Sequence, residues 1–220
     1  MSSRRQRLIL LAFAAVLVPC PAKAADPPAG IVMSVSGPTT PSLSAMAEIP
    51  AATAIRLDPA TALTFLHYLR CQLVTVTGGT VTLTRTDFTT DGHIDNQRAG
   101  PCPIVHQLSG GGAGATPGGM VVRGISGLPP FPVDPDIVFV GSRASRIVAA
   151  SILREGEAQP VVGFALSGPR ATLPQGTPPL TPNGRYVLRV ALSDQPNPVE
   201  LPFIARPAST TGSLVVLRVD

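Results

Sequence analysis

The chain predicts an all-β protein, built as two consecutive small β domains behind a cleaved leader. Three observations carry that expectation. Short runs of Val, Ile, Leu and Thr alternate with polar residues and end at Gly, Pro or Asn, the pattern of half-buried strands bounded by turns. The 25 prolines and 21 glycines among 220 residues leave little room for long helices. Hydrophobic residues make up 44% of the chain but aromatic ones only 4%, with no Trp, so the core must be built largely from aliphatic side chains.

Residues 1–24 place Arg4, Arg5 and Arg7 before an apolar run at 8–18 and close on Ala22-Lys23-Ala24. A basic start, a short apolar middle and a small-x-small end describe a secretory signal peptide. The run is shorter than the roughly 20 apolar residues that cross a bilayer. The expectation is a periplasmic or secreted protein whose mature chain has no transmembrane segment. Cys20, preceded by Leu17-Val18-Pro19, resembles a lipoprotein box with Pro in place of the usual small residue, so lipidation there is the alternative.

Four of the 17 cations (Arg4, Arg5, Arg7 and Lys23) leave with the leader, so 13 remain against 13 acidic residues. A near-neutral mature chain with scattered arginines lacks the basic stripe that a nucleic-acid partner requires and the polybasic run that suits an anionic lipid surface. Lys23 is the only lysine, which removes Schiff-base chemistry from the mature protein.

In chain order, residues 25–30 are a polar, Pro-rich lead-in, and 31–36 a short strand broken by Gly37-Pro38. Residues 42–49 suit one helical turn or a loop. A strand at 55–57 precedes an Asp58-Pro59 turn, and 62–69 and 71–77 are strand-like runs. Gly78-Gly79 then reads as a two-residue hairpin loop joining 71–77 to 80–87. That register sets Val76 opposite Val81 and Val74 opposite Leu83. Asp91-Gly92 marks a turn, 95–103 a polar loop, and 103–108 a strand. Residues 109–119 are a Gly-rich, flexible low-complexity loop, with a last strand at 120–123.

Residues 126–135, with Pro129, Pro130, Pro132 and Pro135, read as a Pro-rich linker. Beyond it, strands are expected at 137–140, 146–153, 161–166, 171–173, 185–192, 199–205 and 214–219. Seven short strands with Pro, Asn and Gly turns between them predict an immunoglobulin-like β-sandwich over 136–220. Within it, Ile147, Val148, Ser151 and Ile152 also suit a helix over 144–155, and strand is the preferred reading.

The span from 31 to about 123 resembles the FecR-type domain of periplasmic sensory and regulatory proteins. The matching pieces are Val32-x-x-Val35-x-Gly37, the stretch from Ile49-Pro50 through Ala54-Ile55-Arg56-Leu57, then Ala62-Leu63-Thr64-Phe65, then 71–83 with its central Gly-Gly. The family pattern has Gly where this chain has Ala51 or Ala52. The resemblance implies a non-enzymatic all-β domain over about 30–125 that holds partners or transmits a signal across the envelope.

The two cysteines left after the leader, Cys71 and Cys102, admit a structural disulfide, since an exported protein meets an oxidising compartment. The mirrored spacings His67-x-x-x-Cys71 and Cys102-x-x-x-His106 also admit a tetrahedral zinc site, because residues four apart on a strand face one side. Free thiols are the third possibility. Asp87, Asp91 and Asp95 around Gly92 read as a polar turn; their spacing is wrong for a calcium loop, and Arg98 stands where a bidentate Glu is required. The Gly-rich run has no Gly-Lys-Ser/Thr ending, so it is no phosphate loop. Nor is there a Gly-x-Ser-x-Gly elbow or a papain-like cysteine.

The functional expectation is therefore a non-catalytic binding or scaffold protein without a cofactor, whose partner is a protein or an envelope polymer. Edge strands and Pro-rich loops are its expected recognition surfaces. A cell-wall or carbohydrate-binding module is the alternative, and a secreted enzyme comes last.

Overall fold

A computed structural model describes residues 27–108, 128–207 and 214–220. The expected leader at 1–24, the Gly-rich loop at 109–119 and the strand expected at 120–123 lie outside the described residues. Within them the protein is all-β, with a single 3₁₀ turn at Ala144–Arg146.

The first unit holds β1 (Pro28–Ser36), β2 (Thr39–Thr40), β3 (Glu48–Pro50), β4 (Ala54–His67), β5 (Gln72–Leu83), β6 (Phe88–Thr90) and β7 (His93–Ala99). They form one antiparallel sheet in the order β3-β1-β4-β5-β6, with β2 also on β4 and β7 also on β5. Its core gathers Val32, Ile49, Ile55, Leu63, Phe65, Val74, Val76, Val81 and Leu83, all fully buried.

The hairpin expected at Gly78-Gly79 is not there. β5 runs unbroken through both glycines and pairs along its length with β4, from Ala54↔Thr82 to His67↔Gln72. The turn lies instead at 68–71, where Cys71 takes a positive φ of 51°. Both glycines have positive φ, 65° and 73°, which reverses the pleat: Val74 and Val76 face inward before them, Val81 and Leu83 after. The four valine and leucine side chains do share one core, but through a phase shift within one strand rather than through pairing across a turn. Opposite Gly78, residues 58–61 bulge out of β4 between the pairs Leu57↔Gly79 and Ala62↔Thr77. The Asp58-Pro59 turn is this bulge.

The polar loop expected at 95–103 is largely strand. All seven residues of β7 are exposed, so no alternation marks them; the backbone ladder to β5 makes the strand.

The second unit holds β8 (Ile104–Leu108), β9 (Pro130–Pro132), β10 (Asp136–Val140), β11 (Ile147–Arg154), β12 (Pro160–Gly163), β13 (Ala165–Ser167), β14 (Arg170–Thr172), β15 (Arg185–Leu192), β16 (Val199–Arg206) and β17 (Leu214–Val219). They make two five-stranded sheets, β13-β14-β10-β17-β8 and β12-β11-β15-β16-β9. Ile137, Phe139, Val215 and Leu217 of the first share one core with Ile152, Leu188, Val190 and Phe203 of the second, so the two sheets form a sandwich.

Two segments join the sandwich from outside its expected bounds. β8, read as part of the 30–125 domain, pairs in parallel with β17; β9, inside the expected 126–135 linker, pairs in parallel with β16. The proline count hid the anchor Phe131, which is fully buried, while an edge strand tolerates the flanking Pro130 and Pro132.

β10 and β17 are buried on both faces, which accounts for their unbroken apolar runs. Ile137 and Phe139 face the sandwich core. Val138, Val140, Leu214 and Val216 face the first unit, where they meet Ile31 and Leu66.

Candidate functional site

The junction of the two units carries the chain's most organised chemistry. Cys71 and Cys102 are disulfide-bonded, with Cα atoms 4.6 Å apart and a sequence separation of 31. The bond ties the β4–β5 turn to the 100–103 segment that leads into the sandwich, beside the backbone bond from Gly100 N–H to the Cys71 carbonyl at 2.7 Å.

Around the apolar contact of Ile31 and Leu66 with β10 and β17 sits one ion pair. Arg218 on β17 donates to both carboxylate oxygens of Glu48 on β3, at 2.8 and 3.1 Å. Tyr68 donates its hydroxyl to the same carboxylate at 3.1 Å. Burial, and then the Glu48 carboxylate, push the Tyr68 phenol well above its usual range, and the hydrogen-bonded Glu48 raises the Arg218 guanidinium further.

Beside this pair a cleft of about 690 Å³ opens between the units. One wall is the 44–48 segment, held to β1 by Met46 N–H to the Val32 carbonyl (2.7 Å) and by Val32 N–H to the Ala47 carbonyl (2.9 Å). The facing wall comes from the end of β10, the 3₁₀ turn and the start of β11, with Ile147, Val148 and Leu166 among its apolar side chains. Val148 is 59% exposed, unusual for a strand valine. Gly141 makes the bend in this wall possible: its φ is 99°, and a Cβ would stand 2.6 Å from the Val219 carbonyl oxygen. Ser44, Ser145 and the already paired Glu48 are the polar side chains of the lining, so the cleft suits an apolar segment framed by hydrogen-bonding groups.

The zinc alternative fails on geometry. Both thiols are consumed by the disulfide. His67 is fully buried with both nitrogens in use: Nδ1 accepts from Arg70 N–H at 3.2 Å, and Nε2–H donates to the Thr84 and Asp87 carbonyls at 3.1 and 3.2 Å. It staples two turns of the first unit. His106 lies in the sandwich, stacked on Phe131 with ring centroids 5.2 Å apart. Among the described residues no three His, Cys, Asp or Glu side chains gather as a metal site.

The three turn aspartates do not converge either. Asp87 pairs with Arg70 at 2.8 Å, Asp91 accepts from Thr80 N–H, and Asp95 accepts from the Thr77 hydroxyl at 2.6 Å. Sequence reasoning missed Glu48, Arg218 and the cleft, because nothing local marks a contact between residues 170 apart.

No protein-family model, curated protein or solved structure matches this chain. Among the described residues no helix is long and apolar enough to cross a membrane.

Proposed function

We propose that this is an exported, non-catalytic binding or scaffold protein of the cell envelope, FecR-like in its first unit, which takes a protein partner in the cleft between its two β units. The observation that carries the reading is the cleft itself. It is an open, mainly apolar surface whose two walls come from different units, and those units are tied together by a disulfide, an apolar contact and an ion pair. A surface preorganised in this way loses little ordering entropy when a partner docks. The disulfide supports an oxidising compartment, and the leader at 1–24 supports export.

Site-specific photo-crosslinking tests the reading. A photoreactive residue at Val148, with a second at the exposed Arg98 of β7 as control, is presented to envelope extract. One protein captured from position 148, and lost when Ala47→Arg fills the opposite wall, is the expected result. Capture only from position 98, or retention of a polysaccharide with no crosslinked protein, overturns it and favours the polymer-binding alternative. Turnover in a hydrolase screen would move the chain to the enzyme class.

A further inference from the structure

β8 is the last strand of its sheet, and β17 is its only strand partner among the described residues, in register from Ile104↔Val215 to Leu108↔Val219. Its hold on the sandwich is slight. Leu108 alone is fully buried, Val105 is 37% exposed, and Gln107 points outward to donate to the Asp220 carboxylate at 3.2 Å. The other inward contact is the His106 ring. It stacks on Phe131 of β9, which stacks on Phe203 of β16 at 4.5 Å, so the ring bridges the edges of both sheets.

Nε2 of His106 is buried and has no hydrogen-bond partner among the described residues. Among the described residues its neighbours are uncharged: Phe131 of β9, stacked on the ring, and Leu217 of β17, its register partner. Arg218 and Asp220 lie on the opposite face with Gln107, and Arg218 is engaged by Glu48. Tyr186, the other titratable ring of the stack, stands beyond Phe203 with its hydroxyl accepting from Thr181 N–H at 3.0 Å. An imidazolium donates from both nitrogens, and among the described residues Nε2 meets no acceptor.

We propose that β8 is a proton-released edge strand: protonation of His106 detaches it from the sandwich and uncovers the edge of β17. The neutral ring belongs to the docked strand and the charged ring to the released one. Burial correspondingly holds the His106 pKa below its ordinary 6.5. The disulfide at Cys102, four positions upstream, keeps the released strand tethered.

Amide hydrogen exchange on the full, oxidised chain tests this between pH 7.5 and 5. After correction for intrinsic exchange, the opening equilibrium of β8 and β17 amides should rise as pH falls below about 6.5, by at most tenfold per pH unit. Amides of β15 should keep their protection. His106→Phe preserves the stack without a proton site and should abolish the pH dependence. Equal opening in that variant, opening of every strand together, or no opening at all overturns the proposal. Should the variant not fold, the Cε1–Hε1 resonance of His106 in the unaltered chain decides. A titration below the ordinary value, coincident with amide opening, supports the proposal. A titration without opening overturns it.

Discussion

Arg218 reaches across the junction of the two β units to hold both carboxylate oxygens of Glu48, a pair 170 residues apart in sequence. The side chains are 26% and 15% exposed, so most of their hydration is gone, and Tyr68 supplies a third polar partner. Arg218→Met removes the cation and leaves a poorly hydrated carboxylate with the Tyr68 hydroxyl as its other partner. The expected loss is about 2–4 kcal/mol in chemical denaturation, since breaking one side of a largely buried pair strands the other. Glu48→Gln with Arg218→Met should cost less than the two single changes added, a coupling that a double-mutant cycle reads directly.

The disulfide closes a loop of 31 residues between the first unit and the start of the sandwich. In the chain-entropy treatment a loop of that size stabilises by about 3–4 kcal/mol. Cys71→Ser should lower the denaturation midpoint by that free energy, yet leave a folded chain, because each unit keeps its own apolar core. Mass spectrometry of the unreduced protein should find no free thiol at Cys71 or Cys102.

Gly79 shows how far the sequence could be read. The alternating Val74, Val76, Val81 and Leu83 announced a shared core, and they share one. What two glycines do between such runs is not local information, because a turn and a pleat reversal use the same left-handed conformation. The choice was made by β4, whose bulge at 58–61 leaves room for the crossing. Most strands of the sandwich were legible because they alternate or are continuously apolar; β9 was not, because its prolines read as a linker. β7 was not, having no buried residue, and the cleft was not, because its walls come from distant segments.

The same glycine separates the two arrangements by experiment. A Cβ at position 79 would stand 2.5 Å from the Asp91 carboxylate and 2.6 Å from the Gly92 backbone nitrogen. Gly79→Ala should therefore destabilise by about 3 kcal/mol or more, adding a backbone collision to the left-handed penalty of roughly 1–2 kcal/mol. A solvent-facing hairpin loop would show the conformational penalty alone. Thermal unfolding of the variant measures the difference.

Ala52 sits at φ 62°, and its N–H donates to the Leu83 carbonyl at 2.7 Å. Its backbone conformation is one that glycine adopts without strain. Ala52→Gly should keep the hydrogen bond and raise stability by about 0.5–1 kcal/mol, the relieved strain exceeding the extra freedom gained by the unfolded chain. Ala51→Gly, one residue earlier and without a positive φ, should be neutral or destabilising, which makes the pair an internal control in one denaturation series.

Tyr68 sets the alkaline limit of the junction. Its phenol is an acid whose folded value is raised, first by burial and then by Glu48, above the ordinary 10.0. The native state therefore keeps its proton where the unfolded state releases one. By linkage the associated stability is complete below pH 10 and declines as pH rises through and beyond that value. The chain has only two tyrosines, so ultraviolet absorbance can follow them. One phenol should stay un-ionised until the junction opens, with its absorbance step coinciding with unfolding. Tyr68→Phe should remove both that delayed step and the alkaline slope in stability, while at neutral pH it loses only the single hydrogen bond to Glu48, about 1–2 kcal/mol. An unchanged slope would place the alkaline sensitivity in groups outside the junction.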